Sequence, residues 1–258
     1  MPTYIQNFLK FRPLLNELVA RDVKIKYRRS VLGVLWTLLN PLLMMVVLSV
    51  VFSNLFKFDI EYFPIYLLSG QVIFNFYNDA TTTSMSAILG SANLIKKVYI
   101  PKYLFVMSRI CSCVINLMAS FTALVLVMLA MRVELHYTIF FSFIPISLLI
   151  VFSFGIGLFL AAVTVKFRDI IHLYSVFTTA LMYLTPVIYP MSMLPSWLAV
   201  VVRANPLTNY LTIFRDLMIN NRMFSIFDLG IALIEAIIAL TIGLYVFYRN
   251  QDTFILNL

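Results

Sequence analysis

The chain has 258 residues, is 62% hydrophobic and only 12% charged, and carries a formal net charge of +8. Soluble chains of this size are nearer half apolar and a quarter charged. With a mean hydropathy of +0.96 and apolar runs of spanning length, the composition excludes a soluble globular fold and indicates an integral membrane protein. The basic balance raises nucleic acid as a partner, but the placement of the charges, set out below, removes the need for one.

Residues 1–30 are of mixed polarity. No short apolar core with a small-residue cleavage site is present, so a cleaved signal peptide is not expected and the first span acts as the uncleaved signal. Pro13 can open a helix. Phe11, Leu14, Leu15, Leu18 and Val19 then share one face, with Asn16 and Glu17 turned away. Asp22 and Lys26 break the stripe. A lipid-seeking helix keeps its apolar face clean, so the blemish favours contact with protein. Five basic side chains follow within nine residues: Arg21, Lys24, Lys26, Arg28 and Arg29. For the Arg28–Arg29 pair alone, ordinary positive-inside flanking is the plainer reading.

Six spans are predicted at about 31–56, 63–89, 104–131, 139–165, 170–189 and 229–248, each near the ~20 residues that hydrocarbon requires. Fourteen basic residues fall on one side: Lys10, Arg12, Arg21, Lys24, Lys26, Arg28, Arg29, Lys96, Lys97, Lys102, Arg109, Lys166, Arg168 and Arg249. Five fall on the other: Lys57, Arg132, Arg203, Arg215 and Arg222. This bias puts both termini, including a tail at 249–258, in the cytoplasm. It also accounts for the net charge without nucleic acid.

Asn40–Pro41 interrupts the first span and is expected to kink it. The second span is unusually polar. Gln71, Asn75, Asn78, Thr82 and Ser86 recur at helical spacing, with Asp79 beside them. Groups of this kind face the bundle interior or water. They suit either a hydrated path for a polar substrate or hydrogen bonding between helices; the amides and Asp79 tilt the reading toward the path. Between the second and third spans, Asn93 can cap a short helix and Pro101 limits it. Two free-standing turns are marginal in water. The Leu94, Ile95, Val98 and Tyr99 surface around Lys96 and Lys97 therefore suggests a helix, 93–100, that docks on a cytoplasmic partner.

The fifth span carries Tyr174, Ser175, Thr178, Thr179, Tyr183 and Thr185 before Pro186. Aromatic and hydroxyl groups together suit sugar rings, although Tyr is also the common interface residue. Residues 190–228 are apolar but interrupted by Arg203, Asn205 and Pro206. Pro195 and Pro206 suit the first turns of two short helices. A re-entrant hairpin over 195–218 fits, as does a pair of amphipathic helices on the outer leaflet; the re-entrant form requires burial in protein. Glu235 stands isolated in the last span, with no partner evident.

No set for covalent chemistry emerges. Cys111 and Cys113 lie two apart and point to different helix faces. His136 and His172 lie at opposite membrane edges, and neither a zinc motif nor a Gly-rich phosphate loop is present. No cofactor or metal is expected on this chain, which could not drive ATP-dependent transport alone.

Four stretches in order, "KIKYRRSVLGVLWTLLNPLL", "ANLIKKVYIPKYLF", "LTPVIYPMSMLP" and "NPLTNYLTIFRDLM", resemble the permease subunits of bacterial polysaccharide ABC exporters. These are type 2 ABC permeases that move lipid-linked O-antigen, capsule or teichoic-acid chains. The form "YRRSVLGVLW" is more similar to the O-antigen and teichoic-acid branch. The resemblance implies an all-α integral membrane fold of six transmembrane helices in the bacterial cytoplasmic (inner) membrane. An N-terminal amphipathic interface helix, a short cytoplasmic coupling helix at 93–100 and an outer re-entrant hairpin complete it. It implies a homodimer above two copies of a separate ATPase subunit that uses ATP and Mg, docked through Arg21, Arg28, Arg29 and residues 93–99. It implies a channel for the lipid-linked polysaccharide between the two permeases, aided by aromatic groups. Trp36, Tyr174 and Tyr183 are its candidates by position, beside Gln71, Asn75, Asn78, Asp79 and Thr178.

Two other functions fit parts of the pattern. One is a permease of the same architecture for a drug or lipid, which the polar second span disfavours. The other is a membrane-embedded transferase using Asp79 and Glu235, which the lack of a clustered acid–base set disfavours.

Overall fold

The computed structural model describes residues 2–27, 30, 32–56, 60 and 62–254, the side chains of 2–9, 27, 34 and 53–56 excepted. The helices in chain order are α1 (Pro2–Tyr27), α2 (Trp36–Phe56), α3 (Phe63–Met85), α4 (Ala92–Ile95), α5 (Tyr103–Ala130), α6 (Phe143–Lys166), α7 (Ile170–Tyr183), α8 (Ser196–Arg203), α9 (Pro206–Met218) and α10 (Ile226–Asn250). No strand occurs among the described residues. Among the described residues, three helical stretches are long and apolar enough to cross a membrane: Tyr103–Ala130, Tyr137–Lys166 and Ile226–Thr253. Trp36–Phe52 and Ile170–Tyr183 are shorter apolar helices.

Two apolar clusters define the two ends of the bundle. The larger joins the middle and one end of α3, α5 and α6 to α9 and to Val187 and Ile188. The smaller joins Leu18 of α1, Ala87 to Val106 around α4, Leu158 to Val165 of α6, Phe247 of α10 and Phe254 beyond it. The connectors expected on one side of the membrane, at 87–103 and after Val165 and Phe247, thus meet at one end. Ile60, Tyr62, Val133, Pro190 and Ile219, from the connectors expected on the other side, line a single cavity of about 350 Å³ at the opposite end.

The closest helix pairing is α6 against α10. A Cβ on Gly155 would run into the backbone of Ala239, and one on Gly243 into the carbonyl of Gly155. With Ala232 and Ala236, these residues make a narrow buried stripe on α10. Small residues let backbones approach where no hydrophobic drive acts between helices in lipid. Much of the rest of α10, including Ile234, Ile237, Ile238 and Ile242, is exposed, as suits a helix facing acyl chains.

Several elements depart from the predicted boundaries. Pro13 lies inside α1 rather than at its start, which falls at Pro2. Packing of Leu15 and Leu18 carries the helix past the one backbone bond that proline removes. The expected fifth span at 170–189 holds a helix of 14 residues, about 21 Å at 1.5 Å per residue. It ends at Tyr183 because Pro186 disfavours helix in the residue before it, and residues 184–190 follow as turns. The helix expected over 93–100 covers only Ala92–Ile95; the backbone then turns at Lys96–Val98 ahead of Pro101. Asn93 does not cap it. It is exposed within the helix, and the cap position falls to Ser91, without a side-chain bond. Pro206 is the first residue of α9, whereas Pro195 sits one residue before α8. The chain beyond α10 is no loose tail as far as Phe254. The Lys102 ammonium donates to the Gln251 carbonyl and lies 5.7 Å over the Phe254 ring, and Phe254 packs edge-on against Phe247.

Candidate functional site

A polar cavity of about 580 Å³ opens between the end of α1, the first turns of α2 and the interior of α3 and α5. Trp36, Thr37 and Asn40 come from α2, Asn75 and Asp79 from α3, Asn116 and Ser120 from α5, and Lys26 from α1. The Lys26 ammonium reaches the Asp79 carboxylate at 3.7 Å. On α3, Asn75, Thr82 and Ser86 are exposed and Asn78 and Asp79 partly so. This polar face is therefore open from Asn75 onward, on a helix whose other face is core. Carboxamides, hydroxyls and an indole can donate to and accept from a hydroxyl-bearing ligand and cover an apolar ring face.

Of the eight predicted channel residues, Trp36, Asn75 and Asp79 meet in this cavity. Asn78 is half-buried beside it in sequence but does not line it. Gln71 is buried, and its amide oxygen has no hydrogen-bond partner among the described residues. Tyr174 and Thr178 lie on the opposite side of α3 and are buried. The Tyr174 hydroxyl donates to Thr81 Oγ1 at 2.8 Å and lies 3.3 Å from the Tyr77 hydroxyl. Tyr174 thus ties α7 to α3. Tyr183 projects from the end of α7 with 65% of its surface exposed. Sequence reasoning passed over Lys26, Thr37, Asn40, Asn116 and Ser120. Asn116 and Ser120 follow Asn75 and Asp79 in having i, i+4 spacing on their own helix, which is the signal that could have found them.

The ion pairs of α1 explain its broken stripe. Asp22 is buried, its side chain 3% exposed, and its Oδ1 takes Arg109 of α5 at 3.1 Å and Arg21 at 3.0 Å. One turn on, Lys26 takes Asp79. Of the two residues that spoiled the amphipathic pattern, Asp22 therefore fixes α1 to α5, and Lys26 meets α3 through a half-exposed pair. Of the predicted docking residues on this segment, Arg21 is half-buried and held by Asp22, while Arg28 and Arg29 lie outside the described residues.

The predicted docking turn divides by depth. Ile95 is buried and Leu94 half-buried against the bundle end. Lys96, Lys97 and Val98 are exposed, and Tyr99 is 94% exposed. Tyr99 and Val98 are thus displayed on a turn anchored from beneath by Leu94 and Ile95.

The far end holds a second organised site. Arg215 of α9, counted among the outer charges in the sequence, is in fact buried, 7% exposed. Its Nε donates to Ser69 Oγ at 3.1 Å, Nη1 to the Pro186 carbonyl at 2.6 Å, and Nη2 to the carbonyls of Tyr66 and Val187 at 2.9 and 3.0 Å. The Tyr66 hydroxyl donates in turn to the Tyr189 carbonyl at 2.9 Å. Asn205 caps α9 by accepting from Leu207 N–H, and its amide donates to Thr185 Oγ1 and the Leu184 carbonyl. The unwound stretch 184–190 thus finds its backbone partners in Asn205 and Arg215, which meets the requirement that irregular backbone in such a bundle be satisfied by protein. Asn209 supplies the partner that Glu235 lacked in the sequence, with Nδ2 at 3.5 Å from Oε2.

Residues 13–219 match the family model of the ABC-2 type transporter. The chain belongs to the ABC-2 type transporter family. With its apolar helices, this makes it a multi-pass membrane protein and a transport subunit. It is similar to the O-antigen export system permease protein RfbA of Klebsiella pneumoniae, 25% identical over 243 residues and 93% of each chain. The protein of the same name from Myxococcus xanthus is 29% identical over 223 residues, 85% of each chain. The polysialic acid transport protein KpsM of Escherichia coli is 22% identical over 242 residues, 91% of this chain and 92% of KpsM.

Proposed function

We propose that this chain is the membrane-spanning permease subunit of an ATP-driven exporter that moves a lipid-linked polysaccharide, such as O-antigen, across the bacterial cytoplasmic membrane. The observation that carries this reading is the match along nearly the whole chain to permeases named for O-antigen and polysialic acid transport. The open polar face of α3 agrees with it, because an exporter of lipophilic molecules has no use for carboxamides along its path.

In this reading the chain makes six passes with both termini in the cytoplasm. The 1–30 segment is the interface helix, 195–218 the re-entrant hairpin near the exit, and two copies of the permease enclose the channel. Two copies of a separate ATPase subunit bind beneath, and ATP and Mg act there; the permease contributes no nucleotide site. Tyr99, Val98, Lys96 and Lys97 form the surface that meets the ATPase, with Arg21, Arg28 and Arg29 beside it. Nucleotide-driven movement of the ATPase reaches the bundle through Ile95 and Leu94.

The test is co-purification of the tagged permease with the ATPase encoded beside it. The parent chain retains the ATPase, and Tyr99→Ala with Val98→Ala loses it at unchanged permease level. Equal retention by both chains contradicts the docking assignment.

A further inference from the structure

We infer that the polar cavity between α1, α2, α3 and α5 is an entry subsite for a hydroxyl-rich sugar unit, and that the Lys26–Asp79 pair is its gate. The inference rests on the export reading above and adds the place and the control of loading.

Three observations carry it. First, the cavity is lined by groups of both hydrogen-bonding senses. Asn40 and Asn75 each offer a carbonyl and an NH₂, Ser120 a hydroxyl, and Trp36 an indole face. A ring with several hydroxyls matches such a lining, whereas an acyl chain would leave these groups unpaired. Second, Lys26 and Asp79 are each about half exposed within the cavity, and their charged groups are 3.7 Å apart. Charged groups at helix positions of this kind face water rather than lipid. A partly solvated pair at that distance is held weakly and can exchange for hydroxyl ligands. Third, the neighbouring attachment of α1 is of the opposite kind. Asp22, four residues earlier, is buried and bonded to Arg109 at 3.1 Å. The end of α1 can therefore swing away from Asp79 while Asp22 stays in place as the pivot.

Lys26 lies at the last turn of α1, on the segment assigned to ATPase contact. Movement of that segment parts Lys26 from Asp79. Asp79 then accepts from the incoming hydroxyls, and the carboxamides complete their coordination.

The experiment uses the complete permease–ATPase complex, with Lys26→Cys and Asp79→Cys joined by a short bifunctional methanethiosulfonate that reductant releases. The readout is ATP-dependent export of the host's polysaccharide. Joining lowers export at least tenfold relative to the same variant after reduction, while the ATPase stays bound. Equal export in the joined and reduced states overturns the gate. The same reagent on the parent complex, whose permease thiols are Cys111 and Cys113, controls for native cysteines. The charge-reversed pair K26E/D79K gives a second readout that does not depend on the cysteine variant being active. It exports at least fivefold more than K26E alone if the two residues act as a pair, and no more than K26E alone if they do not, which overturns the proposal. Failure of the parent complex to export any polysaccharide refutes the export reading itself and is thereby told apart from failure of the gate.

Discussion

The guanidinium of Arg215 lies 3.5 Å over the ring of Tyr66, and from there its nitrogens reach Ser69 and the carbonyls of residues 66, 186 and 187. One side chain of α9 thus holds α3 and the unwound stretch after α7 together. The charge is spread over four acceptors and an aromatic face, a planar arrangement that suits arginine and not lysine. Arg215→Lys is expected to lose at least two of these bonds, each worth about 1.5–3 kcal/mol for a charged donor. The thermal transition of the detergent-solubilised permease, followed by fluorescence-detected size exclusion, should fall clearly for Arg215→Lys. An unchanged transition would show that the clamp carries little of the fold.

Gly70 stands under the same guanidinium. A Cβ there would come within 2.8 Å of Arg215 Nη2 and 3.0 Å of the Val187 backbone. Gly70→Ala should therefore lower the same transition and Gly90→Ala should not, since its nearest neighbour is the flexible Arg109 side chain at 3.8 Å. Equal effects at the two glycines would mean that contact with Arg215 is not what excludes a side chain at residue 70.

The seam between α6 and α10 gives a comparable pair. Gly155→Ala or Gly243→Ala places a methyl against facing backbone, which cannot give as a side chain does. Either should push α10 off the bundle and reduce folded yield, while Gly230→Ala, with open space around it, should leave it unchanged. A cysteine pair bridging α6 and α10 would report the separation directly through loss of cross-linking.

How much of this was legible in the sequence depended on which force decides each feature. Apolar runs place α2, α5, α6 and α10 near their predicted limits, because hydrophobicity fixes where a helix can sit in lipid. α7 was drawn too long, because its apolar run continues past Pro186, where the backbone cannot stay helical. Asp22 and Lys26 were read as defects of a stripe, since their partners Arg109 and Asp79 lie far away in the chain. Arg215 was counted only among the charges on the outer side. Its position on the apolar face set by Leu207, Tyr210, Leu211 and Phe214 was the overlooked sign that it points inward. Ala232, Ala236, Ala239 and Gly243, spaced by four, three and four residues, were a readable seam of small residues. For the candidate site, Asn75 and Asp79 were singled out by the polarity of their span, and Trp36 by its position under the family resemblance. The bond of Tyr174 to Thr81 could not be read, because it depends on how α7 crosses α3.

Removal of Arg109 should test the pivot of α1. Arg109→Ala leaves Asp22 buried with Arg21 as its remaining partner, and breaking a buried pair on one side costs about 3–5 kcal/mol. Asp22→Asn together with Arg109→Met removes both charges and should recover part of the loss. Limited proteolysis of the 1–30 segment reads this out: Arg109→Ala should be cleaved faster than the parent chain, with the double variant between them. Cleavage at the parent rate in Arg109→Ala would mean that α1 is held by its apolar contacts alone.

Transport itself is tested most directly by reconstitution. The permease and the neighbouring ATPase are placed in proteoliposomes with lipid-linked polysaccharide from the same host, and transfer to the far leaflet is followed on adding Mg-ATP. Transfer should require both subunits and ATP, and the permease alone should hydrolyse none. ATP turnover by the permease alone, or transfer that continues without the ATPase, would contradict the assignment of this chain as the passive, polysaccharide-conducting half of an ATP-driven exporter.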